Sequence, residues 1–150
     1  MKSMKVIAIP EYCLGCALCE IYCAAEHDGY QGQVLKAFKK GQPEPRSLLL
    51  VNGPVSRLNT CRHCDDAPCL HGCISGAIKR DEEGIIHIDE QRCVLCYTCV
   101  MLCPYGHVHP SARSGRIIKC DLCRDSEGLP ACVRHCPNGA LKLCSGREEV

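Results

Sequence analysis

The sequence has no tryptophan and only one phenylalanine, and aromatic residues make up 4% of its 150 residues. A chain of this length can bury a sizeable apolar core, but its usual large fillers are scarce here. We therefore expect inorganic groups to occupy part of the interior.

Signals for export and for membrane insertion are also missing. The N-terminal stretch MKSMKVIAIPEYC has no apolar h-region, no small-residue cleavage site and no twin arginine. No apolar run approaches the length of a membrane span: LLLV at Leu48 to Val51 has only four residues. We expect a cytoplasmic protein with no direct membrane span. In a reducing cytosol, its 17 cysteines indicate metal binding rather than a disulfide scaffold.

The most informative segment is CVLCYTCVMLCP, from Cys93 to Pro104. Its C-x2-C-x2-C-x3-C-P spacing is typical of bacterial ferredoxins, in which three thiolates grip one cubane cluster and the fourth reaches a neighbouring one. A short curved loop can direct three cysteine sulfurs toward one cubane cluster. The fourth cysteine, which is followed by a proline, points in a different direction.

Three more quartets accompany it, and together they use all the cysteines except Cys144. In chain order the quartets are Cys13, Cys16, Cys19 and Cys23; Cys61, Cys64, Cys69 and Cys73; Cys93, Cys96, Cys99 and Cys103; Cys120, Cys123, Cys132 and Cys136. These sixteen cysteines are the predicted iron ligands, and the predicted cofactors are 4Fe-4S clusters, one per quartet. Cys144 is interpreted as a small apolar residue of a last strand.

The spacing of the quartets argues against two other interpretations. Structural zinc also uses C-x2-C pairs, but it usually takes two separated pairs rather than four cysteines within eleven residues. A stand-alone enzyme would need a cluster with a missing ligand, and no general-base constellation stands out, so no catalytic residue is assigned. His63 and His71 lie inside a complete quartet, so they are expected near a cluster or at the surface, as are His107, His109 and His135.

Short elements are predicted around these loops. Strands are expected at Met4–Ile9, at 48–51 and at 139–143, a helix at 19–25, and fraying from residue 145 onward. Strand, turn and strand are expected after Cys73 and again after Cys103. The stretch 29–46 is interpreted as an exposed connection. A glycine three residues after the last cysteine recurs in CISGAI, CPYGHV and CPNGAL, where it suits a tight turn near the cluster.

The phrases TCRHCDDAPCLHGC, RCVLCYTCVMLCPYG, KCDLC and ACVRHCPNGAL resemble the four-cluster ferredoxin-type electron-transfer subunits of molybdenum and tungsten oxidoreductases, hydrogenases and carbon monoxide dehydrogenases. The resemblance implies an α+β, duplicated dicluster ferredoxin fold, small and rich in loops, with short β-hairpins and short helices. One unit would comprise residues 1–59 plus 104–150, and the other, inserted unit would be 60–103.

The resemblance, rather than the spacing, also implies which cysteines share a cluster. The implied sets are Cys61, Cys64 and Cys69 with Cys103; Cys93, Cys96 and Cys99 with Cys73; Cys13, Cys16 and Cys19 with Cys136; Cys120, Cys123 and Cys132 with Cys23.

A row of such clusters suits a single-electron relay between a catalytic oxidoreductase subunit and a second redox subunit or carrier. A tungsten or molybdenum partner is favoured, with a nickel enzyme, either carbon monoxide dehydrogenase or hydrogenase, as the alternative. Clusters near both ends of the row would permit self-association into a longer relay. Nucleic acid is not expected as a partner, because sixteen thiolates around cores of about +2 each bring the formal charge from +1 to about −7. The lysines of 36–40 are interpreted as a solvated loop.

Overall fold

The computed structural model describes residues 3–146, which form short elements separated by cysteine-bearing loops. A 3-10 turn at Pro10–Tyr12 is followed by five helices: α1 (Leu18–His27), α2 (Val34–Lys40), α3 (Pro68–His71), α4 (Thr98–Leu102) and α5 (Ala131–Arg134). Eight strands are described: β1 (Met4–Ala8), β2 (Leu48–Asn52), β3 (Val55–Asn59), β4 (Ile78–Arg80), β5 (Ile86–Ile88), β6 (Val108–Pro110), β7 (Ile117–Lys119) and β8 (Leu141–Ser145). None of these helices is long and apolar enough to cross a membrane.

The strands pair only in twos, and each pair is antiparallel. β1 pairs with β8, with Val6 opposite Leu143, so that the two ends of the described chain are joined. The other pairs are hairpins: β2 with β3, β4 with β5 and β6 with β7. The mixed architecture of hairpins and short helices confirms the predicted fold class.

Most predicted elements are present within two residues of their expected bounds. The first strand, the helix of the first quartet, the hairpins after Cys73 and Cys103 and the last strand are all observed. The fraying predicted from residue 145 onward is wrong at Ser145, which ends β8 and pairs with Met4. Residues 147–150 lie outside the described residues.

The connection predicted at 29–46 is only partly correct, because it contains the helix α2. Ala37 is fully buried, so a small side chain lets this short helix dock while its lysines stay exposed. The strand predicted at 48–51 gains a partner, β3, that the sequence analysis did not anticipate.

Buried side chains gather into two cores, both rich in cysteine. The first core consists of Val6, Cys19, Leu58, Cys61, Ile85, Cys120, Leu122, Cys132 and Leu141. The second core consists of Ala67, Cys69, Ile78, Ile86, Cys99, Val108 and Ile117. The β6–β7 hairpin thus contributes to the second core, and Cys61 lies in the first. The division of the chain into 1–59 plus 104–150 and 60–103 stays a prediction.

Candidate cluster-binding sites

The four cysteine loops share one backbone feature. The residue just before the second cysteine has a positive φ in every quartet: Gly15 (65°), His63 (46°), Leu95 (56°) and Leu122 (58°). Side chains other than glycine rarely adopt this left-handed conformation, and it persists mainly where function requires it. Alternating right- and left-handed residues turn successive N–H groups toward one point, which makes the loop a receptor for negative charge.

One cavity is lined by cysteines from both ends of the chain. Cys13, Cys16 and Cys19 come from the first loop, and Cys136 follows α5. Leu49 and Leu58 of the β2–β3 hairpin close the apolar side. Three cysteines of one quartet and one of another therefore face the same space.

A second cavity lies in the other core and likewise combines three cysteines of one quartet with one of another. Cys93, Cys96 and Cys99 line it together with Cys73 of the second quartet. Ile78 and Ile117 supply part of its apolar wall.

The remaining cysteines are also near neighbours across quartets. Burial raises the pKa of the Cys23 thiol, and the adjacent Cys120 and Cys123 raise it further. Burial likewise raises the pKa of Cys132, with Cys120 and Cys23 adding to the rise. In the second core, burial raises the pKa of Cys69 to about 11 although Lys119 lowers it, and the neighbouring Cys61, Cys103 and Cys64 contribute to the rise.

The raised pKa values of the buried thiols indicate that these loops require a positively charged cofactor to become thiolates. Burial raises the pKa of Cys19 and of Cys123 to about 11, so on their own these thiols stay protonated at neutral pH. Iron binds the thiolate, which means that a positively charged core must displace the proton. Cys96 differs, because a hydrogen bond with the Thr98 side chain lowers its pKa.

Backbone N–H groups already point at several sulfurs. His63 N–H donates to Cys61 Sγ and Leu122 N–H to Cys120 Sγ, both at 3.5 Å. The N–H groups of Arg46 and His107 donate at 3.4 Å to Cys23 Sγ and Cys103 Sγ. Such hydrogen bonds stabilise thiolates and tune the potentials of iron–sulfur clusters.

The glycines predicted to form turns after a final cysteine do so. Gly76, Gly106 and Gly139 have φ values of 63°, 66° and 62°. Each donates its N–H to the carbonyl oxygen of the preceding cysteine of its quartet, at 3.1 to 3.3 Å. Only glycine adopts this conformation without a steric cost.

A buried ion cluster beside the fourth quartet was not anticipated. His27 Nε2 lies 2.8 Å from Asp121 Oδ1, and Arg46 Nη1 donates to Asp121 Oδ2 at 2.6 Å. Burial by itself would raise the pKa of Asp121, but the hydrogen bond with His27 and the charges of His27 and Arg46 hold it well below its usual range. In the sequence only the aspartate of KCDLC, Asp121, hints at these ion pairs, because its partners His27 and Arg46 lie far away along the chain.

The histidines singled out from the sequence occupy different environments. His63 is fully buried, and its Nδ1 accepts a hydrogen bond from Ile86 N–H at 2.9 Å. Burial lowers its pKa to about 3. His71 is exposed beside Asp66, and His135 stacks on Tyr22 with ring centroids 3.6 Å apart. Cys144 lies in β8 opposite Lys5, in a last strand as predicted.

Eight of the sixteen quartet cysteines thus line the two cavities. Within residues 3–146, no three His, Cys, Asp or Glu side chains converge as they would around a single metal ion. Cavities lined by several thiols, and N–H groups that donate to the sulfurs of other quartet cysteines, fit larger iron–sulfur clusters, whose negative charge such donors offset.

Comparison with known proteins agrees with this geometry. Residues 57–145 match the profile of the 4Fe-4S dicluster domain. Electron transport protein HydN of Escherichia coli K12 is 35% identical, with 97% of this chain and 89% of HydN covered. The polyferredoxin-like subunit of aliphatic sulfonate oxidoreductase from Pyrococcus furiosus is 32% identical, with 97% and 80% covered. The thiosulfate reductase electron transfer subunit PhsB of Salmonella typhi is 36% identical, with 87% and 70% covered.

A solved structure shares the fold. A chain of the BamBC active-site complex of benzoyl coenzyme A reductase superposes with a TM-score of 0.54 at 20% identity, over all of this chain and 80% of that one. The chain described here belongs to the 4Fe-4S dicluster family of ferredoxin-type iron–sulfur proteins. Its relatives are named as electron-transport proteins and electron-transfer subunits of oxidoreductases, which confirms the prediction of an electron-transfer role rather than catalysis by this chain alone.

Proposed function

We propose that the chain holds one 4Fe-4S cluster per quartet, in the cross-quartet sets implied by the family resemblance. The main support is the pair of cavities in which Cys136 joins Cys13, Cys16 and Cys19, and Cys73 joins Cys93, Cys96 and Cys99. We name the clusters of these two cavities the outer clusters. The inner clusters are those of Cys61, Cys64, Cys69 and Cys103 and of Cys120, Cys123, Cys132 and Cys23.

The proposed sequence is outer, inner, inner, outer. Its support is the placement of Cys61, a ligand of one inner cluster, in the first core together with Cys120, a ligand of the other. Cys16 and Cys96, one in each outer set, are exposed. An outer cluster at either end therefore lies close enough to the surface to exchange electrons with a partner.

Each cluster would supply one-electron chemistry, and the protein supplies the ligands, the N–H donors and the burial that set its potential. We infer that the chain relays single electrons between a catalytic oxidoreductase subunit and a second redox partner in the cytoplasm. A tungsten or molybdenum enzyme is the favoured partner, and carbon monoxide dehydrogenase or a hydrogenase is the alternative. Self-association into a longer relay is compatible with an exposed cysteine in each outer set.

The test is elemental analysis of the complex purified natively without oxygen. We expect about sixteen iron and about sixteen sulfide per copy of this chain, beyond those of its partners. Tungsten or molybdenum in the same complex would support the favoured partner, and nickel the alternative. About four zinc without sulfide would overturn the relay and leave a structural zinc module. A single copy of this chain in the native complex would contradict self-association.

A further inference from the structure

Lys119 is a buried lysine at the junction of the two cores. It is the last residue of β7 and is 2% exposed. Its ammonium donates to the carbonyl oxygen of Cys120 at 2.7 Å and to that of Ile86 in β5. The Lys119 ammonium also lowers the pKa of the Cys61 thiol, against the larger effect of burial, and Cys61 and Cys120 lie in the same core. One side chain therefore contacts a proposed ligand residue of one inner cluster, Cys120, and acts electrostatically on a proposed ligand of the other, Cys61.

The charge of this ammonium is not balanced by a carboxylate. Among the described residues, no Asp or Glu forms an ion pair with Lys119. The nearby Asp121 is committed to His27 and Arg46. Buried charges in proteins are normally paired or coordinated, so a negative partner belongs in this region.

A second observation points to the same partner. The carbonyl oxygen of Ile86 accepts a hydrogen bond from Lys119, and the N–H of Ile86 donates one to His63 Nδ1. A ring nitrogen that accepts a hydrogen bond carries no proton, so the ring proton of His63 is on Nε2. That atom is buried and has no hydrogen-bond partner among residues 3–146. A buried N–H donor beside Cys61 suits the sulfur of a cluster.

We propose that the Lys119 ammonium lies between the two inner clusters and raises the reduction potential of both relative to the outer clusters. Adding an electron makes a cluster more negative, and a fixed positive charge in a low-dielectric interior favours that state. An electron that enters at either outer cluster would then move preferentially to the two inner clusters, which lie on either side of the Lys119 ammonium. The inference rests on the proposed four-cluster relay.

The experiment compares three variants of the full chain, loaded with clusters without oxygen. Lys119→Met removes the charge and the donors, Lys119→Gln keeps donors without the charge, and Lys142→Met removes an exposed lysine as the control. Iron and sulfide are counted first, and the midpoint potentials are then measured by redox titration followed by electron paramagnetic resonance.

In both Lys119 variants we expect two potentials to fall and two to stay unchanged. The fall should reach about tenfold in the one-electron reduction equilibrium, or about 59 mV. Lys142→Met should move none. The inference is overturned if fewer than two potentials fall or if all shift equally. If Lys119→Met loses iron, the potentials of Lys119→Gln are used instead, and two of them must fall. Loss of inner-cluster iron from both variants would show that Lys119 has a structural role, and this would overturn the inference. A natural chain without about sixteen iron would overturn the proposed function itself.

Discussion

His27 and Asp121 join α1 to the loop of the fourth quartet through a contact of 2.8 Å between Nε2 and Oδ1. The same carboxylate accepts from Arg46, whose own N–H donates to Cys23 Sγ. Asp121 Oδ1 also accepts from Cys123 N–H at 3.1 Å. A single buried carboxylate thus fixes backbone around two proposed ligands of one inner cluster.

Replacing Asp121 by asparagine should weaken that loop. The change keeps the shape but removes the charge that holds Arg46, and a hydrogen bond to a charged group contributes about 1.5–3 kcal/mol. We expect faster loss of cluster absorbance in guanidinium chloride than for the natural chain. Arg113→Met is the matched control, because it breaks an exposed ion pair with Asp28, of a kind that contributes little. Equal rates of absorbance loss for both variants would show that the ion pairs of Asp121 do not stabilise the loop.

Removing Cys136 should affect one cluster only. If it completes the set of Cys13, Cys16 and Cys19, Cys136→Ala will cost the chain one intact 4Fe-4S cluster and leave the others. Iron analysis with Mössbauer spectroscopy measures this directly. Cys144→Ala, outside the quartets, should keep every cluster. Unchanged clusters in Cys136→Ala would refute the cross-quartet pairing in this cavity.

Replacing Gly139, in the turn after the fourth quartet, should destabilise the chain. A Cβ at Gly139 meets nothing within 4 Å, so the cost of Gly139→Ala comes from its φ of +62° alone, about 1–2 kcal/mol. We expect faster cluster loss in denaturant. Gly41→Ala is the control, since Gly41 is extended and a Cβ there makes only ordinary contacts with the Arg113 guanidinium at 3.7 Å. A Gly139 variant as durable as the control would contradict the strain argument.

Ile86 should be the most sensitive apolar position of the second core. It is 1% exposed, and its peptide group also holds His63 and Lys119. Truncating a buried isoleucine to alanine costs about 2–5 kcal/mol. Ile86→Ala should lower the temperature at which the loaded chain loses its clusters, measured by heating without oxygen. Ile74→Ala, at a position 76% exposed, should not. If both variants lost their clusters at the same temperature, Ile86 would not support the second core.

The sequence was sufficient for the features that depend on local spacing. The quartets, the glycine turns after Cys73, Cys103 and Cys136 and the short hairpins all follow from residues that are close together along the chain. The left-handed backbone at Leu95 and Leu122 was not predictable, because nothing in a leucine favours a positive φ. At Leu122 this backbone turns the N–H toward the sulfur of Cys120, a contact that forms only in the folded loop.

Longer-range features were beyond the sequence. Lys119 reads as an ordinary charged residue, since its burial depends on the carbonyl of Ile86 in another hairpin. The helix α2 was missed because glycine, proline and lysine surround it and only Ala37 anchors it. The strand β3 was missed because its side chains are partly exposed and show little apolar alternation.

The strands of residues 3–146 never assemble beyond pairs. An isolated hairpin is marginally stable in water, and the helices here are too short to hold by themselves. The iron that carries electrons is then also what cross-links the chain, as structural metals do in small domains. Oxygen damage to a cluster would therefore destabilise the fold as well as interrupt electron transfer, so that restoring the chain requires a new cluster and not only a reductant.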